Sequence, residues 1–558
     1  MALFLVYALI TVVVLVYSFE YLIGCRDDER EPRRLRARTP LVGHLLGIIA
    51  HGPSYHSKLK HDHDVEIFTL GILHLKLYTS VSTRLMPLIQ RQPQRQLSFL
   101  PMLRHVARRW GGASDETDAL FARTDLAADL SRAMRTSLAP GPHLDAQNLR
   151  MARRALVDVD ELLGRVREQE QKGGGYTVKL LEWTRHAAMQ ASSCGVYGNN
   201  HPFLDPEIAA AFWTWHAHLS SHLSGAVNLD SLFRTGYAAR QKVFAAHERY
   251  CAAVPGDASE LLRSRWRVLR AAGVPEADCA RQQATLPIGM LSNTVPTLYW
   301  TLWELFSRPT LLALVRDELL AAGAVVVVQR PTPQEVDDTG SSSGAGHGEF
   351  ALHVAALKRR CPLLLSVMQE TQRARHVHAA VRKVLRDTEL DGGRYLLRGG
   401  SYLQMPGYAI HHSTSVWGPS AGEFDPHRFV PREEEAEEEE EGEGGGGGGG
   451  GGETTKRRKQ RGSDFLVWGA PPHLCPARQF AATEMLILVA LLAMRADLAP
   501  AEGGGAWEAA PALDLGDPVT VLNPKRDVPV RVMSRPEWEG EWSVVMSEST
   551  LRVPLASG

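Results

Sequence analysis

The sequence predicts a mainly α-helical protein with small β-sheets, built as one catalytic domain behind a single N-terminal transmembrane helix. Three observations carry this. From about residue 100 to 320 the apolar residues recur with helical periodicity. Short stretches with strand-like alternation flank that block. Ala2 to Tyr17, ALFLVYALITVVVLVY, is an apolar run that continues past Ser18 and Glu20 to Ile23. That is roughly the 20 residues a bilayer-crossing helix needs.

The run reads as an uncleaved anchor over residues 1–24. Its start, Met1-Ala2-Leu3, has no charged side chain, and Tyr21-Leu22-Ile23 is a poor cleavage site. Arg26, Arg30, Arg33, Arg34, Arg36 and Arg38 follow, and the positive-inside rule places that flank in the cytosol. Residues 25–45, which include Pro40 and Gly43, read as a basic, proline-containing hinge linker. The catalytic domain is expected over 46–558.

Composition is ordinary for a globular protein, with 44% hydrophobic and 22% charged residues. A formal net charge of -1 supplies no field for nucleic acid. The six cysteines are scattered and form no CxxC pair, which argues against a disulfide scaffold or a zinc ribbon. They also suit a reducing compartment.

The elements are expected in this order. Ile67 to Val81 reads as a strand hairpin. A strongly apolar helix runs from about Gln282 to Phe306, interrupted by Pro287 and Pro296. A second helix covers Ala351 to Arg375, and short strands cover Val381 to Leu390 and Tyr395 to Leu403. A last helix begins just after Cys475 and runs to about Arg495, and Val519 to Val532 is strand-like. Residues 329–350 and 433–461 are polar or glycine-rich and read as disordered insertions, with too little apolar surface to offset ordering entropy. The glycine run is no phosphate loop, because no Gly-Lys-Ser/Thr follows it.

The most informative segment is Phe465 to Ala481, FLVWGAPPHLCPARQFA. A glycine and prolines make a tight loop, Cys475 ends it, and a helix follows. A cysteine near a helix N-terminus has its thiolate stabilised by the positive dipole end and free amides. Such a thiolate is a good axial ligand for haem iron. Three other readings stand beside this one. His473 and Cys475 could both hold a metal, though two further ligands are lacking. Cys475 could be a nucleophile, though no base is identifiable. It could also be a buried structural thiol.

The segment resembles the cytochrome P450 haem loop, Phe-Gly-x-Gly-x-His/Arg-x-Cys-x-Gly-Arg-x-Phe-Ala. The matching residues are Gly469, His473, Cys475, Arg478, Phe480 and Ala481; Trp468, Pro471 and Ala477 depart from the pattern. Upstream, Glu370-Thr-Gln-Arg373 resembles the family's Glu-x-x-Arg. Residues at i and i+3 share a helix face and can pair. Phe424-Asp-Pro426-His-Arg428-Phe429 resembles the segment whose arginine joins that pair. The resemblance implies haem with an axial thiolate as cofactor, Cys475 as the metal ligand, and His473 and Arg382 at the propionates. It implies a structural ion-pair network of Glu370, Arg373 and Arg428. Residues His376 to Ala380 fall where relatives line the pocket, whereas Trp213, Trp215, Tyr299, Trp300 and Trp303 read as core first.

The family's oxygen-activating helix usually carries an acid beside an alcohol. This chain has Gly289-Met-Leu-Ser292-Asn293-Thr294-Val-Pro296, without a carboxylate. In one register Ser292 and Asn293 hold those places; in the other, Asn293 and Thr294 do. Asn293 and Thr294 are the candidate catalytic residues, as groups that hold water for proton delivery. The branch that includes oxysterol 7-alpha-hydroxylases and prostacyclin synthase has a similar Asn and Pro, and fungal members share the pattern.

The resemblance implies a monooxygenase that inserts one oxygen atom from dioxygen into a lipophilic small molecule: a terpenoid, sterol, fatty acid or polyketide of specialised metabolism. The implied partners are NADPH-cytochrome P450 reductase and cytochrome b5, at the endoplasmic reticulum membrane, with the catalytic domain facing the cytosol. The chain shows no flavin or nicotinamide fingerprint of its own. Two alternatives are a haem-thiolate isomerase or dehydratase that takes a peroxide without a reductase, and a non-catalytic haem- or sterol-binding relative.

Overall fold

Two helices set the centre of the molecule, and both are apolar on every side, the pattern of a helix buried all round. One is the central helix Leu286–Phe306, and the other is Arg478–Arg495, in which every residue after Arg478 is buried. They pack against one another and against Leu180–Tyr197, Pro142–Gln171 and Pro362–Arg375 in one large core. The computed structural model describes all residues except 1, 26, 73–74, 224–233, 330–347, 432–463, 503–504, 508, 516–518, 547–550 and 557–558.

The main sheet lies to one side of this core. Its six strands run in the order Arg34–Leu35, Ile67–Ile72, Leu75–Ser80, Tyr402–Pro406, Ala379–Val384, Leu97–Ser98. The hairpin expected over Ile67 to Val81 is there, with Ile67 opposite Ser80 and Leu70 opposite Leu77. Tyr402–Pro406 joins it in parallel and pairs antiparallel with Ala379–Val384, which sets Leu403 opposite Arg382. The small sheets and the helix-rich body match the expected fold class.

Several boundaries differ from the sequence reading, each for a local reason. The central helix starts at Leu286, with Pro287 in its first turn, where a missing N–H costs nothing. A separate helix, Glu276–Gln283, precedes it. The expected helix Ala351 to Arg375 is three elements. Gly348–His353 is a strand, Val354–Arg359 a short helix, and Pro362 opens Pro362–Arg375. Gln329 and Gly348 to Phe350, read as part of a disordered insertion, belong to the antiparallel strands Val325–Gln329 and Gly348–His353. The rest of that insertion, 330–347, and nearly all of the second, 433–461, lie outside the described residues. Of the stretch expected to be strand-like, Val519 to Val532, only its end lies in a strand, Pro529–Ser534, and Val519 to Leu522 instead turns inward; a further strand, Gly540–Val545, pairs in parallel with Gly348–His353.

The segment read as a hinge linker is packed on the sheet. Glu31 is 8% exposed and receives hydrogen bonds from Lys76 Nζ at 2.8 Å and the Tyr78 hydroxyl at 2.7 Å. Arg34 pairs with Asp27 and extends the sheet beside Thr69. Upstream, Ala2–Gly24 forms a helix of 23 residues. Among the described residues, no helix is long and apolar enough to cross a membrane, and many side chains of Ala2–Gly24 lie outside that set.

Candidate haem-thiolate site

The cysteine loop folds back on itself before the core helix begins. Gly469 and Ala470 pair with Leu474 and His473, and the Cys475 N–H donates to the Trp468 carbonyl at 2.7 Å. Gly469 has φ 90°, and a Cβ there would stand 2.7 Å from the His473 carbonyl oxygen, so only glycine closes this turn. Ala477 caps the helix Arg478–Arg495, and its amide donates to the Cys475 sulfur. Burial pushes the Cys475 thiol up; the Ala477 amide and the Arg478 charge oppose it.

Cys475 faces the central helix across a cavity. Gly289, Met290, Asn293, Thr294 and Thr297 form one wall, and Val467, Trp468, Ala477, Phe480, Ala481 and Met485 line the cavity together with Cys475; Gln372, Thr520 and Val521 complete the lining. The wall repeats at i, i+4 and i+8, the stripe one helix face presents. Pro296 cannot donate to the Ser292 carbonyl, which leaves that carbonyl free of its intrahelical partner.

Ser292 points away from the cavity. Its hydroxyl is hydrogen-bonded to His216 Nε2 at 2.8 Å, and burial holds His216 down to about 4. Asn293 and Thr294 are the polar pair that faces the cysteine side. Thr294 Oγ1 donates to the Met290 carbonyl at 2.6 Å. Asn293 Oδ1 accepts from the Thr520 amide at 2.8 Å and the Val521 amide at 3.3 Å.

Glu370, Arg373 and Arg428 do not line the cavity; they brace the chain behind it. Arg373 holds Glu370 at 2.7 and 2.8 Å, and both residues are 0% exposed. Arg428 Nε donates to both Glu370 oxygens at 3.1 Å. Arg373 also donates to the carbonyls of His411, Ala421 and Glu423. The link to the cysteine loop runs through His411, whose Nε2 accepts from the Leu466 amide at 2.9 Å.

The residues fit a haem. Arg382 is 5% exposed, and burial pushes its guanidinium down to about 10. It donates to the carbonyls of Ala470 at 2.7 Å and Val381 at 3.0 Å. No carboxylate among the described residues pairs with it, and a buried cation so placed calls for an anion. His473 Nε2 is buried without a hydrogen-bond partner, and so is Trp468 Nε1. Burial, Arg382 and Arg135 together hold His473 down to about 4. A thiol on the cavity wall, with a buried cation bonded to the same cysteine loop and an unpartnered imidazole within that loop, matches a flat macrocycle with carboxylate arms. Cys475 would hold its iron, and Arg382 and His473 its propionates.

Sequence reasoning missed Gln372, Thr297, Arg135, Thr520 and Val521. Thr297 was within reach, four residues from Asn293 on the same face. Gln372 immediately precedes Arg373, so helix geometry turns it about 100° away from the ion pair, and its buried Oε1 is without a partner. Thr520 and Val521 are more than 200 positions from the wall they complete, and no local pattern marks them.

A half-buried thiol at a helix start, facing a proline-containing helix across a cavity, is the arrangement of a haem-thiolate enzyme. The cytochrome P450 family model matches residues 354–508. The chain is 30% identical over 532 residues to "Cytochrome P450 monooxygenase nodJ" of Hypoxylon pulicicidum, covering 95% of each chain. It is 24% identical over 541 residues to a cytochrome P450 monooxygenase of Gibberella zeae, covering 94% of this chain and 93% of that one. A weaker likeness, 26% over 243 residues, links it to the human 7-alpha-hydroxycholest-4-en-3-one 12-alpha-hydroxylase, covering 43% of this chain and 42% of that one. A solved cytochrome P450, CYP102L1, shares the fold with a TM-score of 0.60 at 17% identity, covering 90% of this chain and 99% of that one. The chain belongs to the cytochrome P450 family. It is an oxidoreductase, a monooxygenase whose cofactor is thiolate-ligated haem.

Proposed function

We propose that the protein inserts one oxygen atom from dioxygen into a lipophilic small molecule, such as a terpenoid, sterol, fatty acid or polyketide, with electrons from NADPH delivered by a membrane-bound reductase and by cytochrome b5. The observation that carries this is the cavity itself. Its lining is mostly apolar, and its polar groups gather on the wall opposite Cys475 and beside it. Such a lining binds by apolar burial and orients by a few polar contacts. Haem bound through Cys475 supplies reductive activation of dioxygen.

The chain's own residues then bind and orient the substrate and hold a proton source. Thr294 Oγ1 spends its proton on Met290, which leaves its lone pairs as acceptors for a water. Asn293 has its oxygen engaged by two amides, so toward the cavity it acts as a donor through Nδ2. A water between the two would be held by one donor and one acceptor, ready to give a proton at the oxygen being reduced. No carboxylate lines this cavity among the described residues.

The membrane placement belongs to the same proposal. Ala2–Gly24 runs about 34 Å as a helix and carries the apolar run that the sequence reads as an anchor. Among its described side chains, eight large apolar ones stand exposed, between 52% at Tyr17 and 76% at Phe4. On the folded body, Leu45, Leu46 and Ile49 are exposed on the helix Gly43–His51, and exposed Leu515 lies against Gly52 beside it. An apolar helix leading into an apolar patch suits a protein held at the cytosolic face of the endoplasmic reticulum and fed from the lipid.

The test is reconstitution in lipid with NADPH and a microsomal reductase. Lipophilic candidates are screened by their spin shift, and binders are followed for product and oxygen uptake. The proposal expects product that requires both NADPH and dioxygen. Product from a peroxide substrate without either would favour an isomerase and overturn the proposal.

A further inference from the structure

Thr520 and Val521 form part of the cavity wall, yet they arrive from the C-terminal tail with no strand to hold them. Their backbone is held at separate points. Val377 donates its amide to the Thr520 carbonyl at 2.9 Å, and His376 forms a bridge with Val521. Trp300 Nε1 donates to the Leu522 carbonyl at 2.8 Å. The remaining hold is Asn293, whose single Oδ1 takes both successive amides, Thr520 and Val521. Without it, two amide donors at the cavity edge would lose their acceptor.

We propose that Asn293 is a positioning residue, a latch whose side-chain oxygen fixes the Thr520–Val521 turn as a specificity-determining wall of the Cys475 cavity. Both partners are N–H donors, so only the carboxamide oxygen can face them, and the amide orientation is set by chemistry. The same Asn293 lines the cavity, so a change in the latch changes the shape of the space above the cysteine. Trp300 and Asn293 lie seven residues apart on the central helix, two turns, so one helix face grips both sides of the turn. An aspartate at 293 could keep both bonds, because its carboxylate also accepts; leucine or alanine could keep neither.

The size readout rests on the haem-thiolate reading, while the latch itself is read separately. Full-length protein, with Asn293→Leu, Asn293→Ala and Asn293→Asp, is compared by hydrogen exchange over the peptide that holds Thr520 and Val521. The same proteins are titrated with imidazole and with 1-phenylimidazole, followed by the Soret shift. The latch predicts about tenfold or faster exchange of these amides in Asn293→Leu and Asn293→Ala, and near-native protection in Asn293→Asp. It predicts a severalfold change in the Kd of 1-phenylimidazole with little change for imidazole, which is too small to reach the wall. Unaltered exchange in Asn293→Leu and Asn293→Ala overturns the latch, and so does release of the turn by Asn293→Asp. If leucine or alanine prevents folding, the protection in Asn293→Asp still decides. Absence of any Soret shift in the parent protein would instead count against the haem reading and leave the exchange result standing.

Discussion

The Glu370 carboxylate is shared: Arg428 Nε reaches both of its oxygens at 3.1 Å while Arg373 grips them at 2.7 and 2.8 Å. Two guanidinium groups therefore depend on one buried anion. The Asp425 amide also donates to Glu370, at 3.0 Å. Removing one partner of a buried pair costs about 3–5 kcal/mol, because the other charge stays buried. Glu370→Ala should yield little folded, haem-loaded protein. Reduced carbon monoxide spectra per milligram will measure this, and a normal yield would show that the network is not needed for folding. Arg428, at the edge, should tolerate lysine better than Arg373 does, because lysine keeps the charge but loses the fork.

Cys475 is the only cysteine that lines the cavity among the described residues. Cys475→Ser should abolish the thiolate-type band of the reduced carbon monoxide complex. Survival of that band would remove Cys475 from the iron.

Arg382 is a buried cation with only carbonyls to bond. Arg382→Ala should raise the rate of haem loss to a scavenging apoglobin by roughly tenfold to a hundredfold, since one charged hydrogen bond is worth roughly 1.5–3 kcal/mol. Arg382→Lys should recover part of it. Equal loss rates in Arg382→Ala and the parent would mean that the propionates lie elsewhere.

How much of this was legible depended on how local the information was. The Cys475 loop and the Glu370–Arg373 spacing are short-range patterns, and the structure places both beside the expected helices. The break at Pro362 was readable from the proline itself, but the apolar run on both sides masked it. The buried placement of Glu31 was not readable, because its partners Lys76 and Tyr78 come from a hairpin more than 40 residues away. The orientation of Asn293 was hidden for the same reason. Its partners lie in the tail, and an amide's role is set by whichever groups the fold brings to it.

Glu484 offers a pH test of the core. It is 0% exposed, and both carboxyl oxygens lie 2.8 Å from the Ser192 hydroxyl. Burial pushes its carboxyl up to about 8, from the ordinary 4.5. The folded protein therefore keeps a proton that the unfolded chain releases. The resulting stability is complete below pH 4.5 and is lost as pH rises through about 8. Glu484→Gln keeps a hydrogen-bonding group and removes the titration. Its melting temperature should fall less steeply than the parent's from about pH 5 to 8.5, and should exceed the parent's above that range. Parallel curves would show that Glu484 is charged in the folded protein.

Thr294 allows the proton-holding role to be separated from the latch. Its hydroxyl donates to the Met290 carbonyl at 2.6 Å, and the groups it offers the cavity are lone pairs. Valine has nearly the same shape, and β-branching suits the same rotamer, so Thr294→Val should keep the helix and the Asn293 contacts. It removes the acceptor for a water beside the reacting oxygen. Assistance of this kind is typically worth about 10²–10⁴-fold, and the neighbouring Asn293 donor should cover part of it. Product per NADPH consumed should then fall by roughly tenfold to a hundredfold, with the missing electrons recovered as hydrogen peroxide. The Kd for substrate should stay within about twofold, because no apolar wall is lost. A fall in affinity with unchanged coupling would assign Thr294 to substrate binding instead. Unchanged coupling and unchanged affinity would leave the hydroxyl with only its bond to Met290, and the proton source would have to be sought at another polar group of the cavity, with Gln372 as the first to test.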